Sequence, residues 1–137
     1  MQLAYGRTML AGVSGTAVMT IIGLWGAPMM GIPAMNPAAM LAGAMGGMQA
    51  AGWAAHFMIG IMLAFGYAIV AGRLPGPAVA RGALYAVAPW LMAQVVVMPM
   101  MGMGVFSSSL ALAMGSLIGH MAYGSVVGAV AGVPKRR

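Results

Sequence analysis

Long apolar runs alternate with short polar breaks along the 137 residues of the chain. Four of these runs, at about 8–30, 50–72, 82–103 and 109–132, reach the length of roughly 20 residues with which a helix crosses a bilayer. Lipid cannot hydrogen-bond to backbone N–H and C=O groups, so each run is predicted to be helical. No run shows the alternating period of a membrane barrel strand. The pattern predicts an all-α membrane protein, with one domain over residues 1–137 and four transmembrane helices.

The breaks between the runs differ in character. The segment RLPGPAVARG at 73–82 combines two prolines, two glycines and two arginines, which is typical of a loop. The connector between the first two spans is apolar but is interrupted by Pro33 and by the Asn36-Pro37 pair. An asparagine followed by proline favours a helix start, with the asparagine as N-cap and the proline at the first helical position. We therefore expect a short helix from about Pro37 to Gly46, lying in the outer interface or dipping into it.

Composition supports the membrane assignment and narrows the chemistry. The chain is 63% hydrophobic and 4% charged, whereas about a quarter of the residues of a soluble domain are charged. It has no Asp, Glu or Cys, so it lacks carboxylate acids and bases, thiolate ligands and thiol nucleophiles. We expect it not to be an enzyme. Its net charge of +6 is not gathered on a solvated face, so we expect the lipid bilayer rather than a nucleic acid as partner.

The basic residues predict the orientation. In an up-and-down bundle one side of the membrane receives all six of them, which are Arg7, Arg73, Arg81, Lys135, Arg136 and Arg137. By the positive-inside rule this side is cytoplasmic, and so are both termini. The same assignment puts Tyr5, Tyr67 and Tyr85 near the inner interface and Trp25 and Trp53 near the outer one. The first apolar run is longer than the core of a signal peptide, so we expect it to be retained as a span.

An internal repeat divides the chain into two halves. The motif PMMG occurs at 28–31 and at 99–102, and each copy is followed by a span that carries His-x-x-x-Gly, at His56 and at His120. The order and spacing of these landmarks predict two tandem helical hairpins related by a pseudo-two-fold axis along the membrane normal.

The two histidines are the candidate functional residues. His56 and His120 lie at nearly the same distance from the basic end of their spans, and each is followed four residues later by a glycine, Gly60 or Gly124. Histidines within a membrane can simply hydrogen-bond between helices, and small residues commonly form packing faces. Alternatively, the two imidazoles could ligate a b-type haem, with Gly60 and Gly124 making room for the macrocycle, or a bare metal ion.

Methionines suggest a third possibility. Thioethers and imidazoles are soft ligands suited to Cu(I). Ten of the 18 methionines fall in or near the predicted outer third of the spans, at Met29, Met30, Met35, Met40, Met45, Met48, Met98, Met100, Met101 and Met103. Methionine is also a flexible filler of apolar cores, and these spacings form no regular ligand face.

The run RLPGPAVARGALYAVAPWLMAQVVVMPMMGMGVFSSS, together with GSLIGHMAYG and GWAAHFMIG, resembles a domain-of-unknown-function family of small four-span bacterial membrane proteins. The resemblance covers nearly the whole chain and implies the bacterial inner membrane and a four-helix fold. It implies no activity, cofactor or site. Our leading expectation is a non-enzymatic bundle that acts as a small accessory subunit of a larger membrane complex or as a homo-oligomer, ahead of a haem electron carrier and of Cu(I) handling.

Overall fold

The computed structural model describes residues 4–133, and within this range it contains helices and no strand. Four of its helices are long and apolar enough to cross a membrane. This confirms the predicted all-α membrane fold. The long helices are α1 (Tyr5–Met29), α3 (Gln49–Arg73, whose last turn is a 3-10 turn), α4 (Ala78–Met100) and α5 (Leu110–Ala131), and the short helix α2 (Pro37–Ala44) lies between the first two.

Helix α2 begins as its sequence predicts. The side-chain oxygen of Asn36 accepts a hydrogen bond of 3.0 Å from the backbone N–H of Ala39, and Pro37 occupies the first helical position. The cap satisfies one of the backbone donors that a helix start leaves unpaired. The helix ends at Ala44, two residues before the predicted Gly46, which has a positive φ of 73° that a right-handed helix cannot use.

The repeat is visible in local backbone structure. Helices α1 and α4 each contain one π-helical turn, at Ile22–Gly26 and at Ala93–Val97. In both cases the proline of a PMMG motif follows directly within the next turn, and the glycine of the motif ends the helix with φ of 74° or 75°. Proline lacks an N–H and its ring crowds the carbonyl group four residues earlier, so widening the preceding turn by one residue accommodates it.

Packing between the two hairpins is one-sided. Within the hairpins, α1 packs along α3 and α4 packs along α5. Between them, α1 and α5 are in extensive contact, whereas α3 and α4 meet at only a few residues. The two halves therefore share local structure, while α5 forms the main connection between them.

All described arginines lie at one end of the bundle. The guanidinium group of Arg7 donates to the carbonyl oxygen of Val130 at 2.9 and 3.2 Å, and Arg81 donates to that of Ala71 at 2.8 Å. Arg73 ends α3 at the same place. The up-and-down topology that underlies the orientation prediction is thus present. The basic tail Lys135–Arg137 falls outside the described residues, and the cytoplasmic location of this end stays a prediction.

Tyr67 lies at the arginine end of the bundle, as predicted, but faces the core rather than the lipid. Its side chain is fully buried, its hydroxyl donates to the carbonyl oxygen of Ala78 at 3.1 Å, and its ring meets that of Tyr85 edge-on at 5.7 Å between centroids. Tyr5 and Trp25, by contrast, are 67% and 62% exposed, as residues of an interfacial belt require. The hydroxyl of Tyr67 therefore joins the end of α3 to the start of α4.

Candidate functional site

His56 is buried against the first helix. Only 7% of it is exposed, and its Nε2 lies 3.0 Å from the hydroxyl oxygen of Thr20 on α1. That hydroxyl donates its single proton to the carbonyl oxygen of Thr16, at 2.7 Å. The Thr20 oxygen must therefore accept from His56, so Nε2 carries the hydrogen of the neutral ring. The lone pair of His56 is consequently on Nδ1.

His120 has the opposite tautomer. Its Nδ1 lies 2.8 Å from the backbone carbonyl oxygen of Ser116, one turn earlier on α5. A carbonyl oxygen can only accept, so Nδ1 donates and the lone pair of the neutral ring is on Nε2. Among the hydrogen bonds of residues 4–133, none involves Nε2 of His120 or Nδ1 of His56. Each imidazole is thus fixed through one nitrogen and keeps one free lone pair.

A buried amide from α4 supports the turn that holds His120. Gln94 is 1% exposed, and its amide nitrogen donates to the hydroxyl oxygen of Ser116 at 3.3 Å. Its amide oxygen accepts from the hydroxyl of Ser107 at 2.9 Å. Gln94 lies in the π-helical turn of α4. Gln94 is not among the candidates named from the sequence, although a lone amide inside the apolar run WLMAQVVVM is a signal of a functional or structural polar contact.

The histidines of the two halves approach the same part of α1. Tyr123, three residues after His120, donates to the carbonyl oxygen of Gly60, four residues after His56. Met19 precedes Thr20, the partner of His56, and the Cγ of Met19 is 3.5 Å from the point where a β-carbon on Gly119 would be. Gly119 in turn precedes His120. The side chain of Met19 therefore packs against the turn of α5 that precedes His120.

The glycines that follow the histidines face different helices. A β-carbon on Gly60 would collide with the side chain of Thr16 on α1, and the Gly60 carbonyl oxygen accepts from the hydroxyl of Tyr123. A β-carbon on Gly124 would instead collide with the carbonyl oxygen of Gly82 on α4. The structure does not bring Gly60 and Gly124 together around a common slot. Both glycines allow close packing between helices. The two histidines remain candidate haem ligands, but Gly60 and Gly124 do not form the space for a macrocycle that was predicted for them.

A small cavity lies beside the turn of α5 that precedes His120, and neither histidine is among its lining residues. It has a volume of about 40 Å³, and its walls come from α1, the connector before α2 and one face of α5. A space of this size holds a few waters or one metal ion, whereas a haem is many times larger. The lining residues are Met19, Gly23, Met35, Pro37, Gly115, Ser116 and Gly119.

The methionines predicted to handle Cu(I) are dispersed. Met29, Met48 and Met100 are 88%, 64% and 81% exposed, and they point away from the bundle. Met98 is buried at the end of α4, and Met35 lines the cavity. Of the methionines in the predicted set, Met35 lines the same cavity as Met19. Met19 was not among the methionines proposed from the sequence as Cu(I) ligands.

Comparison with known proteins gives one match. No curated protein and no solved structure matches the chain. A family model does match, over residues 4–137, which is nearly the whole sequence. This confirms the resemblance inferred from the histidine spans and the PMMG segments, and the chain belongs to a family of unknown function, DUF6789.

Proposed function

We propose that the protein is a non-enzymatic helix bundle that acts as a small accessory or structural subunit, either of a larger membrane complex or of a homo-oligomer. The observation that supports this is the incomplete closure of the bundle. Helices α3 and α4 follow each other in the chain and stand side by side, yet they meet at only one end. A partner helix would complete the packing along the rest of their length.

The contacts between α3 and α4 are confined to the end that carries the arginines. There a β-carbon on Gly66 would touch the hydroxyl of Tyr85, and Arg81 donates to the carbonyl oxygen of Ala71. One turn before Gly66 on the same face of α3, Met62 is 65% exposed. Two turns after Tyr85 on α4, Met92 is 60% exposed. The faces that meet near the arginines therefore separate towards the other end.

Physical conditions in the bilayer favour a helix as the occupant of this opening. Lipid tails are as apolar as leucine, so helices associate through close van der Waals packing rather than through a hydrophobic force. An opening between two splayed helices offers two walls to a third helix, which gains more contacts there than on a single convex face. We place the assembly in the bacterial inner membrane, with the arginine end cytoplasmic by the positive-inside rule.

Site-specific photo-crosslinking tests this function. The photoreactive amino acid p-benzoylphenylalanine replaces Met62 in the opening or, as the matched control, Met121, a mid-span methionine of α5 that is 41% exposed. We expect one defined protein adduct from position 62, either a dimer of this chain or one membrane protein, and none from position 121. Lipid adducts alone from both positions, together with a monomeric mass in nanodiscs, would contradict the proposal.

A further inference from the structure

Two guanidinium groups meet at the end of α3. Arg73 is the last residue of this helix, and its Nη1 donates to the carbonyl oxygen of Ile69 at 3.4 Å. Arg81 belongs to α4, and its Nη1 donates to the carbonyl oxygen of Ala71 at 2.8 Å. Its Nε donates to that of Gly76, in the connecting loop, at 2.6 Å. Ile69 and Ala71 lie within one helical turn, so positive charges from two different helices are held at the same place.

The charge of this arginine pair is not balanced by acidic side chains. The sequence contains no Asp or Glu, and the carbonyl groups at the end of a helix supply only about half an elementary charge. Each guanidinium has five N–H donors, and within the described part of the chain the bonds to carbonyl groups use one donor of Arg73 and two of Arg81. Arg73 is exposed and Arg81 is half-buried. The remaining donors can therefore bind an external anion, and their planar geometry matches the oxygens of a phosphate group.

The depth of the arginine pair in the membrane indicates which anion it meets. Helix α3 has 25 residues, which corresponds to about 37 Å and exceeds the hydrocarbon thickness of about 30 Å. Its last turn therefore lies among the lipid headgroups, and the loop at 74–77 is too short to lift the arginines away from them. A zwitterionic headgroup brings a positive charge of its own, whereas an anionic phospholipid offers a phosphate with a net negative charge. We propose that Arg73 and Arg81 together bind the phosphate of an anionic phospholipid at the junction of α3 and α4.

Native mass spectrometry of the full chain tests this site, in mixed micelles with equal amounts of phosphatidylglycerol and phosphatidylcholine of identical acyl chains. We expect the wild type to retain phosphatidylglycerol in preference. Arg73→Gln should lower this preference about fivefold, which is the effect of one arginine near an anionic surface. Arg73 is exposed, so the variant keeps its fold. Arg73→Lys keeps the charge without the planar fork and should fall between the two.

Arg7→Gln is the matched control, because it removes the same charge from the same end of the bundle. Arg7 donates to the carbonyl oxygen of Val130 on α5 and is not part of the pair, so this variant should keep most of the preference. Equal losses in Arg7→Gln and Arg73→Gln would indicate general attraction by surface charge and would overturn the proposal. So would equal retention of the two lipids by the wild type, or displacement of phosphatidylglycerol by inorganic phosphate. An acidic protein that stays bound in place of lipid, and is lost in Arg73→Gln, would likewise overturn it.

Discussion

The hydroxyl oxygen of Thr20 on α1 lies 3.0 Å from Nε2 of His56 on α3, and this hydrogen bond joins the two helices of the first hairpin. The same hydroxyl donates to the carbonyl oxygen of Thr16 within α1. A single threonine thus satisfies a donor on α3 and an acceptor on α1, at a helix interface where water is not available to do so.

Replacing Thr20 with valine is expected to weaken the first hairpin. The change removes the acceptor of His56 at nearly constant volume, and hydrogen bonds between membrane helices contribute about 0.6 kcal/mol on average and up to about 1.7 kcal/mol. We expect a loss of about 1 kcal/mol in the free energy of unfolding, measured by SDS titration in mixed micelles. Thr20→Ser keeps the hydroxyl and should retain most of the stability. Equal losses in both variants would show that the hydrogen bond is not the cause.

Gly82→Ala is expected to disrupt the contact between α4 and α5. A β-carbon on Gly82 would collide with the backbone carbonyl oxygen of Gly124, and one on Gly124 would collide with that of Gly82. Backbone cannot yield as a side chain does, so the helices must separate, at a cost of about 1–3 kcal/mol for overpacking. Unfolding measurements and spin-label distances between the two helices check this.

The control for this substitution is Gly6→Ala in the first turn of α1, where an added β-carbon meets no atom within 4 Å. It should leave stability unchanged or raise it slightly, because alanine is the better helix former. A Gly82→Ala protein as stable as the Gly6→Ala protein would contradict the described packing.

Gln94→Leu is expected to loosen the turn before α5. Leucine leaves the partly buried hydroxyls of Ser107 and Ser116 without their amide partner, and each lost hydrogen bond costs about 0.5–1.5 kcal/mol. Ser107 has a positive φ of 57°, a conformation that non-glycine residues adopt only when their surroundings impose it. We therefore expect faster amide hydrogen exchange in Val105–Ser108. Unchanged exchange there would argue against the role of Gln94.

Tyr123→Phe tests the direct link between the second and the fourth span. The Tyr123 hydroxyl is buried and donates to the carbonyl oxygen of Gly60, in a region where α3 and α5 have few other contacts. We expect a loss of about 0.6 kcal/mol or more in unfolding free energy. Tyr5→Phe, at a residue that is 67% exposed, should have no measurable effect. Equal unfolding free energies for the two phenylalanine variants would show that the Tyr123 hydrogen bond does not stabilise the protein.

The spans could be predicted from the sequence because lipid requires each of them to be a long apolar helix. Each predicted end lies within a few residues of the observed one, and the largest difference is at the start of α4, predicted at 82 and observed at Ala78. The cap at Asn36 was predictable for a similar reason, since it depends only on neighbours in the chain.

The contacts of the histidines could not be predicted in the same way. His56 was recognised as a candidate, but its partner Thr20 is 36 residues away, and only the packing of α1 against α3 identifies it. Gly60 and Gly124 occupy equivalent places in the repeat, yet they face different helices because the two hairpins do not pack symmetrically. Sequence periodicity shows which residues share a face of a helix and does not show which helix covers that face.

The central place of α5 has a consequence for how the protein is made. Helix α5 contacts both α1 and α4 extensively, and it follows the other three spans in the chain. During synthesis α1, α3 and α4 enter the membrane before the element that connects the two hairpins exists. Until then the amide nitrogen of Gln94 lacks its acceptor Ser116, and the carbonyl oxygen of Gly60 lacks the hydroxyl of Tyr123. The two hairpins can join only after α5 has entered the membrane.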